Sequence, residues 1–148
     1  MTLARTALLA ALVAGFAAAA HADDDAALAA AAKEAGAVKT DSGLVYRSLA
    51  EGKGASPAAT DVVKVNYVGK LPNGTKFDAS ADHGGPIEFP LNRVIPCWTE
   101  GVQKMKVGGK AKLTCPSAIA YGSRGAGGVI PPNATLVFEV ELVAIKGK

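Results

Sequence analysis

The sequence predicts an α+β protein in which one short helix lies across an antiparallel sheet. Apolar and polar residues alternate in three separate segments, which is typical of strands with one buried face. One segment, residues 94–105, instead carries apolar residues at helical spacing. The chain of 148 residues is long enough for one domain with a sizeable core. We therefore expect a sheet whose apolar side is covered by one helix.

Residues 1–22 have the three parts of a secretory signal peptide. One cation, Arg5, precedes an uncharged apolar run, and Ala20-His21-Ala22 forms a small-x-small cleavage site. A membrane anchor is the alternative, but the apolar run is shorter than the roughly 20 residues that a spanning helix needs. No basic stop-transfer cluster follows it either. We expect cleavage after Ala22 and export to an oxidising compartment, where cysteines can pair.

The charge balance excludes some classes of partner. The whole sequence has a formal net charge of +3, and removal of the signal peptide takes away only one cation. The remaining cations are scattered, without an arginine-rich run or interleaved aromatic residues. This pattern argues against nucleic-acid binding and against attraction to an acidic surface.

Residues 23–42 are predicted to be a short alanine-rich leader. Three aspartates at positions 23–25 would lie at the positive end of a helix, and Gly36 would end that helix. Large apolar residues are almost absent, so the segment is predicted either as a marginal helix or arm or as disordered chain. It offers little surface for dimerisation.

The domain itself is predicted over residues 43–148, where strand patterns replace the alanine-rich composition. A first strand is expected in residues 43–52, before a loop. The tripeptide Pro72-Asn73-Gly74 predicts a tight turn and therefore a hairpin over residues 62–80.

Three strands show which side of the sheet is buried. In residues 61–71, Val63, Val65, Tyr67 and Leu71 share one face, and polar residues occupy the other. Residues 110–115 and 135–145 alternate in the same way, and the last strand places Phe138 on its apolar face. The sheet is thus expected to have one buried and one solvated side.

The covering helix is predicted to start at Pro96, which suits a first helical turn. Gly108 and Gly109 are expected to end it. The apolar stripe consists of Ile95, Trp98, Val102 and Met105.

Motifs for covalent or metal chemistry are absent from the sequence. There is no CxxC, no HExxH and no GxSxG elbow. His83 lies in a DHGG loop without an evident partner and is predicted to be a solvated loop residue. The glycine-rich run 122–128 lacks the Lys-Ser/Thr of a phosphate loop and leads into Pro131-Pro132, so it is predicted to be a flexible flap.

Aromatic residues on separate elements predict a small apolar pocket. Tyr67 and Phe138 lie on the apolar faces of two strands, and Trp98 lies on the helix that covers them. A plain core is the alternative, but the hydroxyls of Tyr67 and Tyr121 need partners when buried, which favours the edge of a cavity. Asp78, in an otherwise apolar hairpin, also needs a donor nearby. Aromatic walls with a few polar groups are typical of a ligand pocket.

Two long stretches carry many short motifs in a fixed order: YVGKLPNGTKFDAS, and GGPIEFPLNRVIPCWTEGVQKMKVGGKAKLTCPSAIAYGSRGAGGVIPPNATLVFEVEL. They closely resemble the FKBP-type peptidyl-prolyl cis–trans isomerase family. The resemblance runs from about Gly43 to the C-terminus. The signal peptide and short leader look like those of an exported bacterial member without the long helical dimerisation region that some members carry.

The resemblance implies a twisted antiparallel sheet of five or six strands wrapped around one short helix. In the family the tryptophan, here Trp98, lies under the bound proline ring. The backbone amide of Ile95 and the hydroxyl of Tyr121 would donate hydrogen bonds to the bound chain, and a flap over residues 122–132 would close one side. The implied pocket residues are Tyr67, Phe77, Asp78, Phe89, Val94, Ile95, Trp98, Tyr121 and Phe138.

The implied function is isomerisation of X-Pro bonds in exported proteins, in the bacterial periplasm. The implied partners are proline-containing, unfolded or partly folded polypeptides, with macrolides as possible inhibitors. No cofactor, nucleic acid or stable membrane insertion is expected, and the protein is expected to be a monomer. The alternative is a non-catalytic chaperone or binding module for proline-containing segments. A thiol oxidoreductase is disfavoured because no CxxC occurs.

Three positions depart from the family pattern. Cys97 replaces the common glycine before the tryptophan, Ile87 replaces an aromatic residue found in many members, and Ala126 replaces a histidine found in some. Ile87 and Ala126 bear on substrate preference and macrolide affinity rather than on the chemistry.

The two cysteines, Cys97 and Cys115, are expected to form a disulfide. In the implied fold the start of the helix packs against the strand that ends at Cys115, so the pairing is geometrically reasonable. A reactive thiol at Cys97 and two unreactive core cysteines are the alternatives.

Overall fold

The computed structural model describes residues 24–147, which contain one seven-stranded antiparallel sheet. Helix α1 covers residues 24–32 of this range. The later elements are β1 (Ala37–Lys39), β2 (Val45–Ala50), β3 (Val62–Lys70), β4 (Lys76–Ala79), β5 (Ile87–Pro90), α2 (Pro96–Val102), β6 (Lys110–Cys115) and β7 (Leu136–Ile145). Short 3-10 turns cover Ser80–His83, Leu91–Arg93, Ser117–Ile119 and Gly122–Arg124.

The predicted signal peptide, residues 1–22, lies outside the described residues. Asp23, the first acid of the predicted leader, lies outside them as well. Between residues 24 and 147, no helix has the length and apolar character that a membrane crossing requires.

The strand order across the sheet is β1-β2-β6-β7-β3-β4, with β5 also paired to β3. β7 pairs with β3 along nearly its whole length, from Val63 to Lys70. The other edge of β3 is shared, because β5 pairs with its first half and β4 with its second half. Register shifts in these ladders bend and twist the sheet, which lets it wrap around α2.

The predicted one-sided burial is confirmed. On β3, Val63 and Val65 are fully buried and Tyr67 is nearly so, whereas Lys64 and Lys70 are exposed. The apolar face of β7 is buried in the same way, and together with residues of β6 and α2 it forms one core. Its largest members include Leu113, Leu136, Val140, Leu142, Trp98 and Phe138.

The α+β class is confirmed, but the sheet has seven strands rather than five or six. The additional strands β1 and β5 contain only three and four residues, too few to show an alternating pattern in the sequence. β1 lies within the segment predicted to be a leader and pairs with β2. β5 places Phe89 opposite Val63, at the edge of the core.

The predicted hairpin over residues 62–80 is confirmed. Val68 pairs with Ala79 across β3 and β4, and the turn is closed by a hydrogen bond of 2.9 Å from the amide of Leu71 to the carbonyl of Thr75. Gly74 has a φ of 91°, a left-handed conformation that glycine adopts without steric cost. Asp78 lies near the end of β4, just before the 3-10 turn Ser80–His83.

Helix α2 starts at Pro96 as predicted but ends at Val102, so the predicted end at Gly108-Gly109 is wrong. After Val102, the amides of Lys104 and Met105 donate to carbonyls three residues earlier, at 3.1 and 3.0 Å. These shorter-range bonds tighten the chain into a turn and stop the α-helix. Met105 is still buried because the turn directs it into the same core.

The predicted leader forms a helix that is held against the sheet. Glu34, just after α1, forms ion pairs of 2.8 Å with Arg47 on β2 and with Lys112 on β6. The hydrogen bond from Lys112 is the main reason why the pKa of Glu34 lies below its ordinary value. The amide of Thr135 also donates to the Asp24 carboxylate at 3.1 Å. Helix α1 is therefore attached near both of its ends.

Candidate active site

A cavity of about 420 Å³ opens between α2, the hairpin β3–β4 and the strand β5. Eight of the nine predicted pocket residues line it, and one further residue, Arg93, lies among them. The lining residues are Tyr67, Asp78, Phe89, Arg93, Val94, Ile95, Trp98, Tyr121 and Phe138. The arrangement is an aromatic concavity with few polar groups, which is typical of a small-ligand site.

Trp98 lies at the bottom of the cavity and is only 4% exposed. Its ring meets three others edge-on, with centroid distances of 5.1 Å to Tyr67, 5.7 Å to Phe89 and 5.4 Å to Phe138. Edge-to-face contacts at such distances are the favoured geometry for aromatic pairs. The indole Nε1 is buried and has no hydrogen-bond partner within residues 24–147. The position of the Trp98 ring is thus fixed by its aromatic neighbours.

Phe77 is the predicted pocket residue that does not line the cavity. Its ring packs edge-on against Phe138, with centroids 5.5 Å apart, so it contacts the lining from outside. Both rings lie over Gly69 on β3, where an added Cβ would approach Phe77 to 2.5 Å and Phe138 to 2.9 Å. The missing side chain at Gly69 therefore makes room for the two phenyl rings.

Asp78 is held by three hydrogen bonds at the side of the cavity. The Tyr67 hydroxyl donates to Oδ2 at 2.7 Å, and the Ala79 amide donates to Oδ1 at 2.9 Å. Nε2 of His83 lies 2.8 Å from the same Oδ1. Burial acts to raise the pKa of Asp78, but the bonds from Tyr67, His83 and Ala79 outweigh it and hold the pKa below its ordinary value. The carboxylate is therefore ionised and engaged, which makes it a poor general base.

The two cavity tyrosines remain protonated. Burial, followed by the hydrogen bond to Asp78, raises the pKa of Tyr67 above its ordinary value. Burial and the charge of Asp78 also raise the pKa of Tyr121. Tyr67 uses its hydroxyl on Asp78, whereas the side chain of Tyr121 stands at the mouth of the cavity in a residue that is 40% exposed.

Ile95 offers a second donor to the cavity. Its carbonyl accepts from the amides of Trp98 and Thr99, at 2.9 and 3.2 Å, and so begins α2. Its own N–H forms no hydrogen bond within the described part of the chain. A free amide beside an apolar cavity can bind a carbonyl oxygen of a ligand.

The segment 122–132, predicted to be a flexible flap, forms a hydrogen-bonded turn. The amide of Ala126 donates to the carbonyl of Ile130 at 2.9 Å, and the amide of Ile130 donates back to the carbonyl of Ala126 at 3.0 Å. Gly125 has a φ of 66°, and a Cβ there would clash with the carbonyl oxygen of Ile130, so the turn requires glycine. None of residues 122–132 lines the cavity, which this loop reaches only through Tyr121.

Cys97 and Cys115 form a disulfide, as expected. Their Cα atoms lie 5.9 Å apart, within the usual range for this bond, and both residues are fully buried. The alternatives of a reactive thiol and of two unpaired core cysteines are therefore wrong. The bond joins the residue before Trp98 to the last residue of β6.

Comparison with known proteins identifies the family. The FKBP-type peptidyl-prolyl cis-trans isomerase family matches residues 53–143. The chain belongs to this family. It is 60% identical over 119 residues to the FKBP-type peptidyl-prolyl cis-trans isomerase FkpA of Aeromonas hydrophila. The aligned region covers 80% of the chain and 44% of that relative. It is 55% identical over 114 residues to the FKBP-type 22 kDa peptidyl-prolyl cis-trans isomerase of Escherichia coli (strain K12). Here the aligned region covers 77% of the chain and 55% of that relative.

The fold agrees with this assignment. The crystal structure of FkpA from Escherichia coli matches with a TM-score of 0.83 and 46% identity, over 92% of this chain and 63% of that one. The chain spans about half the length of the curated relatives it matches. The resemblance to FKBP-type isomerases in the sequence is thus confirmed, both for the family and for the fold.

Two polar residues of this FKBP-type site were missed in the sequence. Arg93 lies directly before Val94 and Ile95, and this position between predicted pocket residues is the one signal that could have indicated it. His83 was predicted to be solvated, and its side chain is indeed 54% exposed, but it also contacts Asp78. The separation of five residues between Asp78 and His83 does not indicate this contact in the sequence, because the contact depends on the 3-10 turn between them.

The FKBP-type site contains no cluster for metal binding. Among residues 24–147, no group of three or more histidine, cysteine or carboxylate side chains is arranged to hold an ion. The groups available for chemistry are hydrogen-bond donors, aromatic faces and one ionised carboxylate.

Proposed function

We propose that this protein is a peptidyl-prolyl cis–trans isomerase that acts on proline-containing segments of unfolded or partly folded polypeptides. The observation that carries the proposal is the cavity of about 420 Å³ built on Trp98, with aromatic residues around it, in a chain of the FKBP-type family. A proline ring is small and apolar, and such a cavity removes it from water.

The reaction requires no nucleophile. Rotation about the X-Pro bond is opposed by a barrier of roughly 18–20 kcal/mol, because resonance gives the bond partial double-bond character. Uncatalysed isomerisation consequently takes tens to hundreds of seconds. Twisting the bond removes the resonance, so that the carbonyl becomes ketone-like and the nitrogen more pyramidal. An enzyme accelerates the reaction if it binds this twisted form more tightly than either planar form.

The cavity provides three features for that differential binding. Trp98 and Phe138 define the apolar surface for the proline ring. The free N–H of Ile95 and the hydroxyl of Tyr121 are placed to donate hydrogen bonds to carbonyls of the bound chain. A bound proline segment would displace water from the cavity and so strengthen these hydrogen bonds. Each 1.4 kcal/mol of preference for the twisted form gives about a tenfold rate increase.

Asp78 has a positioning role in this proposal. Its oxygens accept bonds from Tyr67, His83 and the Ala79 amide, so the carboxylate fixes the orientation of the Tyr67 ring beside Trp98. No proton is transferred in the isomerisation, and an engaged carboxylate of low pKa has no proton to accept from an imide.

The proposal extends to the location and the assembly state of the protein. We propose cleavage after Ala22, export to the bacterial periplasm, and a monomeric mature protein with the isomerase domain in residues 43–148. The disulfide between Cys97 and Cys115 supports an oxidising compartment. Macrolides that present a proline-like ring to Trp98 are proposed as inhibitors.

The test is the cis-to-trans relaxation of an X-Pro peptide, measured with and without a macrolide such as FK506. We expect acceleration that is proportional to protein concentration and is lost in Trp98→Ala, while the exposed-residue control Val38→Ala keeps it. Circular dichroism must show that both variants are folded. If wild-type protein binds proline peptides without acceleration, the protein is a binding module; if Trp98→Ala retains full activity, the site is elsewhere.

A further inference from the structure

A continuous series of contacts connects an exposed histidine to the bottom of the cavity. His83 Nε2 lies 2.8 Å from Asp78 Oδ1, and Asp78 Oδ2 accepts a bond of 2.7 Å from the Tyr67 hydroxyl. The Tyr67 ring then meets Trp98 edge-on at 5.1 Å. His83 does not itself line the cavity, so any influence on a bound proline passes through Asp78.

The imidazole is held in place by a well-anchored turn. Ser80 starts the 3-10 turn, is buried, and accepts a hydrogen bond of 3.0 Å from the Tyr67 amide through its Oγ. Gly84 ends the turn with a φ of 92°, and the amide of Gly85 donates to the Ser80 carbonyl at 3.0 Å. The turn therefore fixes His83 relative to β3, although the side chain remains accessible to solvent protons.

A change of charge on His83 alters this pair of residues. A carboxylate only accepts hydrogen bonds, so the neutral ring must carry its proton on Nε2 to bond Asp78. Protonation of Nδ1 then converts a neutral donor into a cation and makes the contact an ion pair. The bond is already charge-assisted on the carboxylate side, and the cation adds a direct Coulombic attraction between the two residues. Histidine is the side chain that normally makes this change between about pH 5 and 8.

Other charged and phenolic side chains surround the contact between His83 and Asp78. Asp82, on the same turn, is paired with Lys76 of β4 at 3.2 Å. Tyr67 of β3 and Tyr121 of the loop after β6 interact with Asp78, and both phenols have raised pKa values and stay neutral. Asp78, whose pKa is lowered, stays ionised.

We propose that His83 is a positioning residue of the active site. Protonation of His83 compensates the negative charge of Asp78 and so strengthens the binding of proline segments. The inference rests on the proposed isomerase function. A compensated carboxylate beside the cavity presents less net charge to an apolar proline ring. The effect therefore falls on KM rather than on kcat. kcat/KM rises by about two- to fivefold as pH falls from 8 to 5, the size expected for an exposed ion pair.

The first experiment is the pH profile of kcat/KM for a neutral X-Pro peptide. His83→Gln keeps a neutral donor and is expected to give a flat profile at the wild-type level of pH 8. His83→Arg keeps a permanent cation and is expected to give a flat profile at the wild-type level of pH 5. Asp82→Asn, which removes the neighbouring carboxylate, should keep the wild-type dependence.

The second measurement is independent of activity. Trp98 is the only tryptophan in the chain, so its fluorescence reports on the bottom of the cavity. We expect its emission to titrate between pH 5 and 8 in wild type and not in His83→Gln. A flat wild-type profile, a profile that rises with pH, or an unchanged profile in His83→Gln would overturn the proposal. If no isomerase activity is found at any pH, the proposed function fails, and the Trp98 titration alone decides whether His83 acts on the cavity.

Discussion

Cys97 and Cys115 are covalently joined with their Cα atoms 5.9 Å apart, and this bond ties the first turn of α2 to the end of β6. The sequence separation is 18 residues. Closing a loop of this size lowers the entropy of the unfolded chain and stabilises the folded state by about 3 kcal/mol. Since Cys97 precedes Trp98, the bond also holds the helix that carries the centre of the cavity.

We expect the double variant Cys97→Ser/Cys115→Ser to lose about 3 kcal/mol of the free energy of unfolding. Urea unfolding with and without a reductant measures this loss. Reductant should destabilise the wild-type protein and leave the variant unchanged. The folded variant should still catalyse isomerisation, because the disulfide supports the site without lining it. Equal stability of variant and wild type would show that the bond has no stabilising role.

Gly69→Ala is expected to damage both stability and catalysis. An alanine Cβ at this position would lie 2.5 Å from Phe77 and 2.9 Å from Phe138. Both rings must shift, and overpacking of this kind typically costs about 1–3 kcal/mol. Displacement of Phe138 should lower kcat/KM in the relaxation assay. Val38→Ala, at an exposed position of β1, is the control that should leave both stability and kcat/KM close to those of wild type.

Asp78 should make stability depend on pH in the acid range. Its folded pKa is below the ordinary value of 3.8, so the unfolded chain binds protons more readily than the folded protein does. The resulting stabilisation is complete above pH 4 and is lost as pH falls through the folded pKa. We expect the free energy of unfolding to fall less steeply below pH 4 in Asp78→Asn than in wild type. Identical slopes between pH 5 and 2.5 would contradict this assignment.

Glu34→Gln should release α1 from the sheet. The substitution removes the charge that pairs with Arg47 and with Lys112. Exposed ion pairs contribute about 0–1 kcal/mol each, so the global stability should change little. Hydrogen exchange in residues 24–36 should nevertheless become faster, because the helix has few large apolar contacts of its own. Glu51→Gln, at an exposed position after β2, is the control that should leave this exchange unchanged.

Arg93 is expected to set a preference for acidic residues next to the proline. Its guanidinium lies at the exposed edge of the cavity and attracts a nearby carboxylate of the substrate. Arg93→Glu should lower kcat/KM for Glu-Pro peptides relative to Lys-Pro peptides by about two- to fivefold. Activity on Ala-Pro peptides should stay close to that of wild type. An unchanged ratio for the two charged peptides would exclude Arg93 as a determinant of specificity.

The sequence predicted those parts of the fold where burial leaves a repeated pattern. β3, β6 and β7 are long enough for alternation to be visible, whereas β1 and β5 are recognised only through their pairing with β2 and β3. The end of α2 was misjudged because Met105 continues the apolar stripe, although the chain there has already left the helix.

The residues of the candidate site also divide into those that the sequence predicts and those that it does not. Its aromatic residues could be predicted, since they belong to the apolar faces and to family motifs. Arg93 and His83 could not, because both are polar residues in short 3-10 turns, whose contacts depend on how the loops fold back on the sheet. Phe77 was placed in the lining because the sequence could not distinguish a ring that faces the cavity from one that supports it.

The position of β7 has a consequence for the order in which the protein can be made. β7 is the last described strand in the chain, yet it lies at the centre of the sheet, between β6 and β3. While the polypeptide is being synthesised, the edge of β3 and the edge of β6 that face β7 have no partner until residues 136–145 have left the ribosome. Unpaired edges of apolar strands are prone to aggregate. A protein proposed to assist the folding of others must therefore complete its own translation before its sheet can close, and its nascent chain needs protection until then.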